Sequence, residues 1–278
     1  GGTVGDISYG YAQIVLNSGI IVWVNKANAG DIAFAWPGTI YAPVDSSYLF
    51  ANSDSSSGQL EDNLQLANLT TISLENLSTI NTTNMSCMFA GLDSITNLDV
   101  SVLNASNVTT MDRMFYSCSS LTTIKLLNST GTNKFNTSKV TVMGFMFDQC
   151  STLTSIQGIS DISTDSLSDI YGMFYGCKSI TNLDLSKWNT SNVRSYGSMF
   201  CNCSSLTSIN VTGWKFDLVE NSYDLNYMFS GCTSLTSLDL SSWNWTQLSE
   251  VLNGASVLLV DGCTALTDFY TPYSLGSK

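Results

Sequence analysis

Six of the eight cysteines, Cys118, Cys150, Cys177, Cys203, Cys232 and Cys263, occupy the same place in a recurring phrase. Its cleanest copies read CSSLTTI from Cys118, CSSLTSI from Cys203 and CTSLTSL from Cys232. Thiols repeated in this way could form disulfides, hold a soft metal or act as nucleophiles. If each phrase fills one coil of a stack, equivalent positions lie about 4.8 Å apart with parallel Cα–Cβ bonds. A disulfide needs Cβ atoms about 3.8 Å apart, and zinc needs three or four converging ligands. The chain has no histidine, so both the usual alternative ligand and the imidazole base of Ser-His-Asp and Cys-His catalysis are missing. The expectation is a buried column of free thiols acting as small hydrophobes, with no metal and no cofactor. Cys87 and Cys201 lie outside the column and are more open than the other six to oxidation or cross-linking, although simple burial is the first expectation for them too.

Carboxylates are the remaining acid and base groups. Asp99, Asp184 and Asp239 share one position of the repeat, where other copies carry Lys125, Gln157 and Asn210. That mixture reads as a solvated row rather than a catalytic pair, which would need two carboxyls about 5–10 Å apart in a cleft. Tryptophans 188, 214 and 243 also recur at one register, with Phe135 in that place after an insertion. A repeated aromatic could stack on sugars, but it is expected to fill the corner where a strand leaves the sheet.

The elements that carry these residues follow from the repeat. A Met-Phe pair precedes the cysteine by three residues at Met114-Phe115, Met146-Phe147, Met173-Phe174, Met199-Phe200 and Met228-Phe229. The first copy has Met88-Phe89 but Leu92 at the cysteine position, and the last has Cys263 but Leu259-Val260 in place of the pair. Degenerate ends suit terminal repeats, which meet solvent or a cap on one side. After the cysteine, runs such as Leu183-Asp184-Leu185-Ser186 alternate with period two and predict a short strand. Val108, Met111, Met114 and Phe115 fall at spacings of three and four, which predicts a short helical or 3₁₀ return with Ser106 or Asn107 as N-cap. One unit buries too little apolar surface to offset the entropy of ordering its own residues, so the array should fold as a cooperative stack.

The expected fold is therefore a repeat solenoid, mainly β with short helical or 3₁₀ turns, whose parallel sheet lines a concave face. Residues 1–47 read as an N-terminal β cap, because two apolar runs flank Asn17-Ser18-Gly19 and a third, Ile32 to Trp36, ends at Pro37-Gly38. Residues 48–84 read as degenerate first repeats, 85–246 as the regular array, and 247–278 as the last repeat and a C-terminal cap. A polar, Gly-containing insertion, NSTGTNK over 128–134, reads as a surface loop. The copy around Ile156 to Asp169 has an irregular strand end.

The combination of MxxMF, CxSLTxLDLS and NTSNV resembles the BspA-type leucine-rich repeats, also described as a domain of unknown function in bacterial, mycoplasmal, protist and some viral proteins. The resemblance covers roughly Met85 to Leu266, with weaker echoes at Tyr48-Leu49-Phe50 and from Leu69 to Leu77. It implies a leucine-rich-repeat-like fold and a cell-surface or secreted protein, in some members an adhesin. It transfers no catalytic residue.

A net charge of −12 with only 10 Lys plus Arg weighs against nucleic acid and anionic lipid as partners. No run of about 20 apolar residues predicts membrane insertion, and no charged segment followed by an apolar one predicts a secretion signal within the sequence. With only 12% charged residues, the surface should be neutral and polar, a texture common outside cells and on virions. The strand face is the expected recognition surface, with Asn97, Asp99, Thr123, Lys125, Ser155, Gln157, Asn182, Asp184, Ser208, Asn210, Ser237 and Asp239 pointing outward. Asn128 and Asn136, in Asn-x-Ser/Thr sequons beside the insertion, are the best candidates for glycosylation. The leading functional expectation is adhesion to a protein or glycan of another cell or matrix. The alternative is a structural subunit that assembles with copies of itself into a filament, layer or coat.

Overall fold

The computed structural model describes residues 11–15, 21–25, 31–33, 40–51, 69–127, 135–245, 248 and 258–271. The fold is a parallel β-solenoid in which each repeat contributes one coil. An antiparallel hairpin of β1 (Tyr11–Val15) and β2 (Ile21–Asn25) extends to β3 (Asp31–Ala33), which runs parallel to β5 (Thr71–Ile72). Strand β4 (Ile40–Tyr41) pairs in parallel with β6 (Leu77–Ser78). The regular face follows as β7 (Asn97–Asp99), β8 (Thr123–Lys125), β9 (Ser155–Gln157), β10 (Asn182–Asp184), β11 (Ser208–Asn210), β12 (Ser237–Asp239) and β13 (Asp268–Tyr270).

Each of these strands places its central residue inward and its outer two toward solvent, as period-two alternation requires. Leu98, Ile124, Ile156, Leu183 and Leu238 are buried, while Asn97, Asp99, Asn182 and Asp184 are exposed. The sheet is not continuous. Strands β7, β8 and β9 are joined in register, as are β10 with β11 and β12 with β13, but β9 does not pair with β10 nor β11 with β12. At the first break Gly158 takes φ 87 and leads into a 3₁₀ helix over Ile159–Asp161, which carries the chain off the strand line. This is the irregular strand end seen in the sequence.

A column of phenylalanines runs through the core. Phe50, Phe89, Phe115, Phe147, Phe174, Phe200 and Phe229 stack with ring centroids 5.3–5.7 Å apart and planes within 15° of parallel. The spacing exceeds the strand repeat slightly, as offset stacking demands.

The return segment is not helical, contrary to the spacing of its apolar residues. It is a run of tight turns that hydrogen-bonds to the next coil. In one coil the amides of Arg113, Phe115 and Ser117 donate to the carbonyls of Gly144, Met146 and Asp148, while Met114, Tyr116 and Cys118 donate three residues back. Arg113 (φ 53) and Ser117 (φ 60) are left-handed, and Phe145, Gln149, Ser198 and Asn202 repeat the pattern. Such non-glycine conformations cost about 1 kcal/mol each, and the cross-coil hydrogen bonds offset that. Turn spacing and helical spacing bring the same residues inward, so Met111, Met114, Phe115 and Cys118 are buried as expected. Ser106 and Asn107 accordingly cap no helix. Instead Asn104 Oδ1 accepts the amide and hydroxyl of Ser106 at 3.0 and 2.6 Å, closing a turn.

Candidate functional site

The phrase Cys-x-Ser-Leu-Thr assigns three separate tasks. Its leucine, as at Leu121, Leu153 and Leu206, fills the core. Its threonine hydroxyl extends the strand ladder: Thr122, Thr154 and Thr207 donate to the carbonyls of Thr96, Thr122 and Thr181 at 2.8, 3.0 and 2.8 Å. Its cysteine is a buried, free thiol and also a hydrogen-bond donor. The thiols of Cys118, Cys150, Cys177, Cys203, Cys232 and Cys263 donate to the carbonyls of Phe89, Phe115, Phe147, Phe174, Phe200 and Phe229, at 3.0–3.2 Å. Several of these carbonyls also accept the amide of their own coil's cysteine, as Phe147 does from Cys150. All eight cysteines are unbridged, and only Cys263 is more than marginally exposed. Burial pushes the Cys150 and Cys177 thiols well above their ordinary range, so they stay protonated and unreactive. Cys87 and Cys201, outside the column, are buried as well, as first expected for them.

On the strand face the twelve singled-out residues lie in two rows, one on each side of the buried central residue. Asn97, Thr123, Ser155, Asn182, Ser208 and Ser237 form one row, and Asp99, Lys125, Gln157, Asp184, Asn210 and Asp239 the other. Thr123, Lys125 and Ser155 are half-buried and the rest exposed. The carboxylates have local work. Asp99 Oδ1 accepts the amide and hydroxyl of Ser101 at 3.0 and 2.6 Å, Asp184 does the same with Ser186 at 3.1 and 2.7 Å, and Asp239 accepts the Ser241 amide at 2.9 Å. Each closes the turn that ends its strand. These bonds hold Asp184 and Asp239 below the ordinary carboxylate range. Burial pushes Asp99 up, but Lys125, 2.8 Å away, together with Ser101 brings it below the ordinary value.

The tryptophans are core. Trp188 and Trp214 are buried and stack at 6.1 Å, and their Nε1 atoms donate to Ile159 and Leu185 carbonyls one coil earlier, both at 2.9 Å. Trp243 stands after the second sheet break and its buried Nε1 has no partner among the described residues. Phe135 is buried too. Asn136 is exposed, its Oδ1 accepting the Ser138 amide at 2.9 Å, and Asn128 lies outside the described residues.

Two features were not singled out from the sequence. The first is a cleft of about 220 Å³ at the break between β9 and β10, floored by Ile156, Ile159, Ile180 and Leu183 and rimmed by Ser155, Ser160, Asn182 and Asp184. The second is Asp148, only 8% exposed, with Oδ1 unpartnered among the described residues. The cross-coil hydrogen bonds place it in the column between Tyr116 and Tyr175. Burial pushes its carboxyl up to about 6, against the opposing effects of Gln149 and Arg113. Among the described residues no three His, Cys, Asp or Glu side chains come together to hold a metal ion. No described helix is long and apolar enough to cross a membrane.

The model of one protein family matches the chain three times, over residues 58–155, 122–225 and 210–256, under the description "Mycoplasma protein of unknown function, DUF285". The overlapping matches together cover well over half of the chain and follow the repeat. A comparison with curated proteins finds no match.

Proposed function

We propose, for a chain that belongs to the DUF285 family of Mycoplasma repeat proteins, that it is a non-enzymatic recognition protein whose repeats are of the BspA leucine-rich type. It acts outside the cell or on its surface, and it holds a protein or glycan of another cell or matrix on its strand face.

The observation that carries this reading is the mostly exposed double row on β7 to β12. Hydrogen-bonding side chains, mostly small, stand there in register within each joined group of strands, on a backbone held by cross-coil bonds. Such a row meets a ligand with little loss of side-chain entropy, because Asn, Asp, Ser and Thr have few rotatable bonds. It lacks aromatic anchors, so each contact is weak and affinity grows with the number of coils engaged. Multivalent display on a surface would raise it further.

Binding of the purified protein to immobilised matrix proteins, glycan arrays and whole cells tests the reading. Saturable binding in at least one panel supports it, and failure in all three overturns it. Light scattering of the same preparation distinguishes self-assembly: concentration-dependent growth without panel binding would favour a structural subunit.

A further inference from the structure

Where neighbouring strands of the face are joined, the ladder follows one rule. The residue before a strand donates to a threonine carbonyl one coil earlier, as Thr122 does to Thr96, Thr154 to Thr122 and Thr207 to Thr181. The residue after a strand donates to the end of the next strand, as Val100 does to Lys125, Leu126 to Gln157 and Leu185 to Asn210. Between β9 and β10 the equivalent bonds, Thr181 to Thr154 and Gly158 to Asp184, are not made. The two strands thus turn unused, matching ladder edges toward each other across the cleft. The coils do not separate, because Trp188 Nε1 still reaches the Ile159 carbonyl at 2.9 Å and Lys187 Nζ reaches Asp161 Oδ1 at 2.6 Å.

We propose that this gap takes an extended peptide strand of another protein, parallel to β9 and β10, with the side-chain order polar, aliphatic, basic. The assignment rests on reading the strand face as the recognition surface and names one of its ligands. An unpaired ladder edge asks for another backbone in extended form, since only that supplies donors and acceptors at the strand repeat. The side-chain order follows from the register. The occupant's central residue lies over Ile156 and Leu183, which asks for an aliphatic side chain. The next residue lies beside Asp184, which asks for a cation. The chain contains its own precedent: β8, Thr-Ile-Lys, sits between two parallel strands and sets Lys125 2.8 Å from Asp99, its register partner in β7. The net charge of −12 favours a basic ligand at longer range as well.

The probe is an end-capped, fluorescein-labelled peptide copying residues 121–127, read by fluorescence polarisation against the full chain. Saturable binding is expected, weakened about tenfold or more by Asp184→Lys and equally by a Glu in place of the peptide's lysine. Combining the two reversals should restore most of the affinity. N-methylation of alternate peptide amides should abolish binding, and hydrogen exchange at the Gly158 and Thr181 amides should slow when the peptide is bound. Absence of saturable binding, or binding indifferent to Asp184→Lys and to N-methylation, overturns the proposal. Wild type and Asp184→Lys are run in parallel on the matrix, glycan and cell panels. Panel binding without peptide binding leaves the recognition reading standing and removes only the peptide gap.

Discussion

The Cys177 thiol donates to the Phe147 carbonyl at 3.1 Å, and that carbonyl also accepts the Cys150 amide at 3.0 Å. Two coils therefore meet at one oxygen, directly beside the stacked phenylalanine rings. The same relation recurs at Cys150, Cys203, Cys232 and Cys263, which explains why a cysteine rather than an aliphatic residue holds this place.

Replacing Cys177 by Val removes the donor and adds one methyl to a fully buried site, while the carbonyl retains its amide partner. A loss of about 1–3 kcal/mol is expected from the lost donor and the overpacking together, and about 2–3 kcal/mol for Cys177→Ala, which leaves a cavity. Urea unfolding measures both. In the native state the thiols of Cys118, Cys150, Cys177, Cys203 and Cys232 should resist an aqueous thiol reagent, and all eight should react once the chain is unfolded.

Asp148 links stability to pH. Its carboxyl titrates near 6 in the folded chain and near 3.8 once unfolded, so the folded state binds the extra proton between those values. The stabilisation is fully present below about pH 4 and is lost as pH rises through 6. Asp148→Asn should therefore stabilise the protein at pH 7.5, by roughly 1–3 kcal/mol, and change it little at pH 4. Thermal unfolding at both pH values checks the sign.

Gly172 has φ 59, and a Cβ there would lie 2.6 Å from the Phe145 ring of the preceding coil. Gly172→Ala should cost about 2–4 kcal/mol from backbone strain and overlap together. Combining it with Phe145→Ala should recover the overlap and leave only the left-handed penalty, so a double-mutant cycle should show strong non-additivity.

Trp188→Phe removes the Nε1 donor that bridges the coils where β9 and β10 are not paired. A loss of about 1–2 kcal/mol is expected, with faster hydrogen exchange in 158–185 than in the β7 to β9 sheet. Lys187→Ala, which removes an exposed ion pair, should leave exchange nearly unchanged.

The repeat, the strand positions and the inward column were legible because Cys118, Leu121 and Ile124 recur at fixed spacing. The spacing of Met111, Met114 and Phe115 does not separate a helical turn from stacked turns, because these residues face inward equally from both. Only the left-handed backbone at Arg113 and Ser117, which their residue types do not announce, separates the two. Asn104 and Asn136 stand in sequons, yet each closes a turn through its side-chain oxygen. The cleft was visible only as an irregular strand end after Ile156, since its opening depends on where Gly158 sends the chain. Asp148 carries no signal in the sequence because its burial comes from coils before and after it.

The most direct test of the recognition account is binding to the matrix, glycan and cell panels by a face variant carrying Asn182→Lys, Asp184→Lys, Asn210→Lys and Asp239→Lys. All four side chains are exposed, but Asp184, Asn210 and Asp239 each accept a turn-closing amide, so the melting temperature should fall by several degrees and binding is compared well below both transitions. The account predicts at least a tenfold loss of whatever panel binding the wild type shows. Undiminished binding by the folded variant would contradict it.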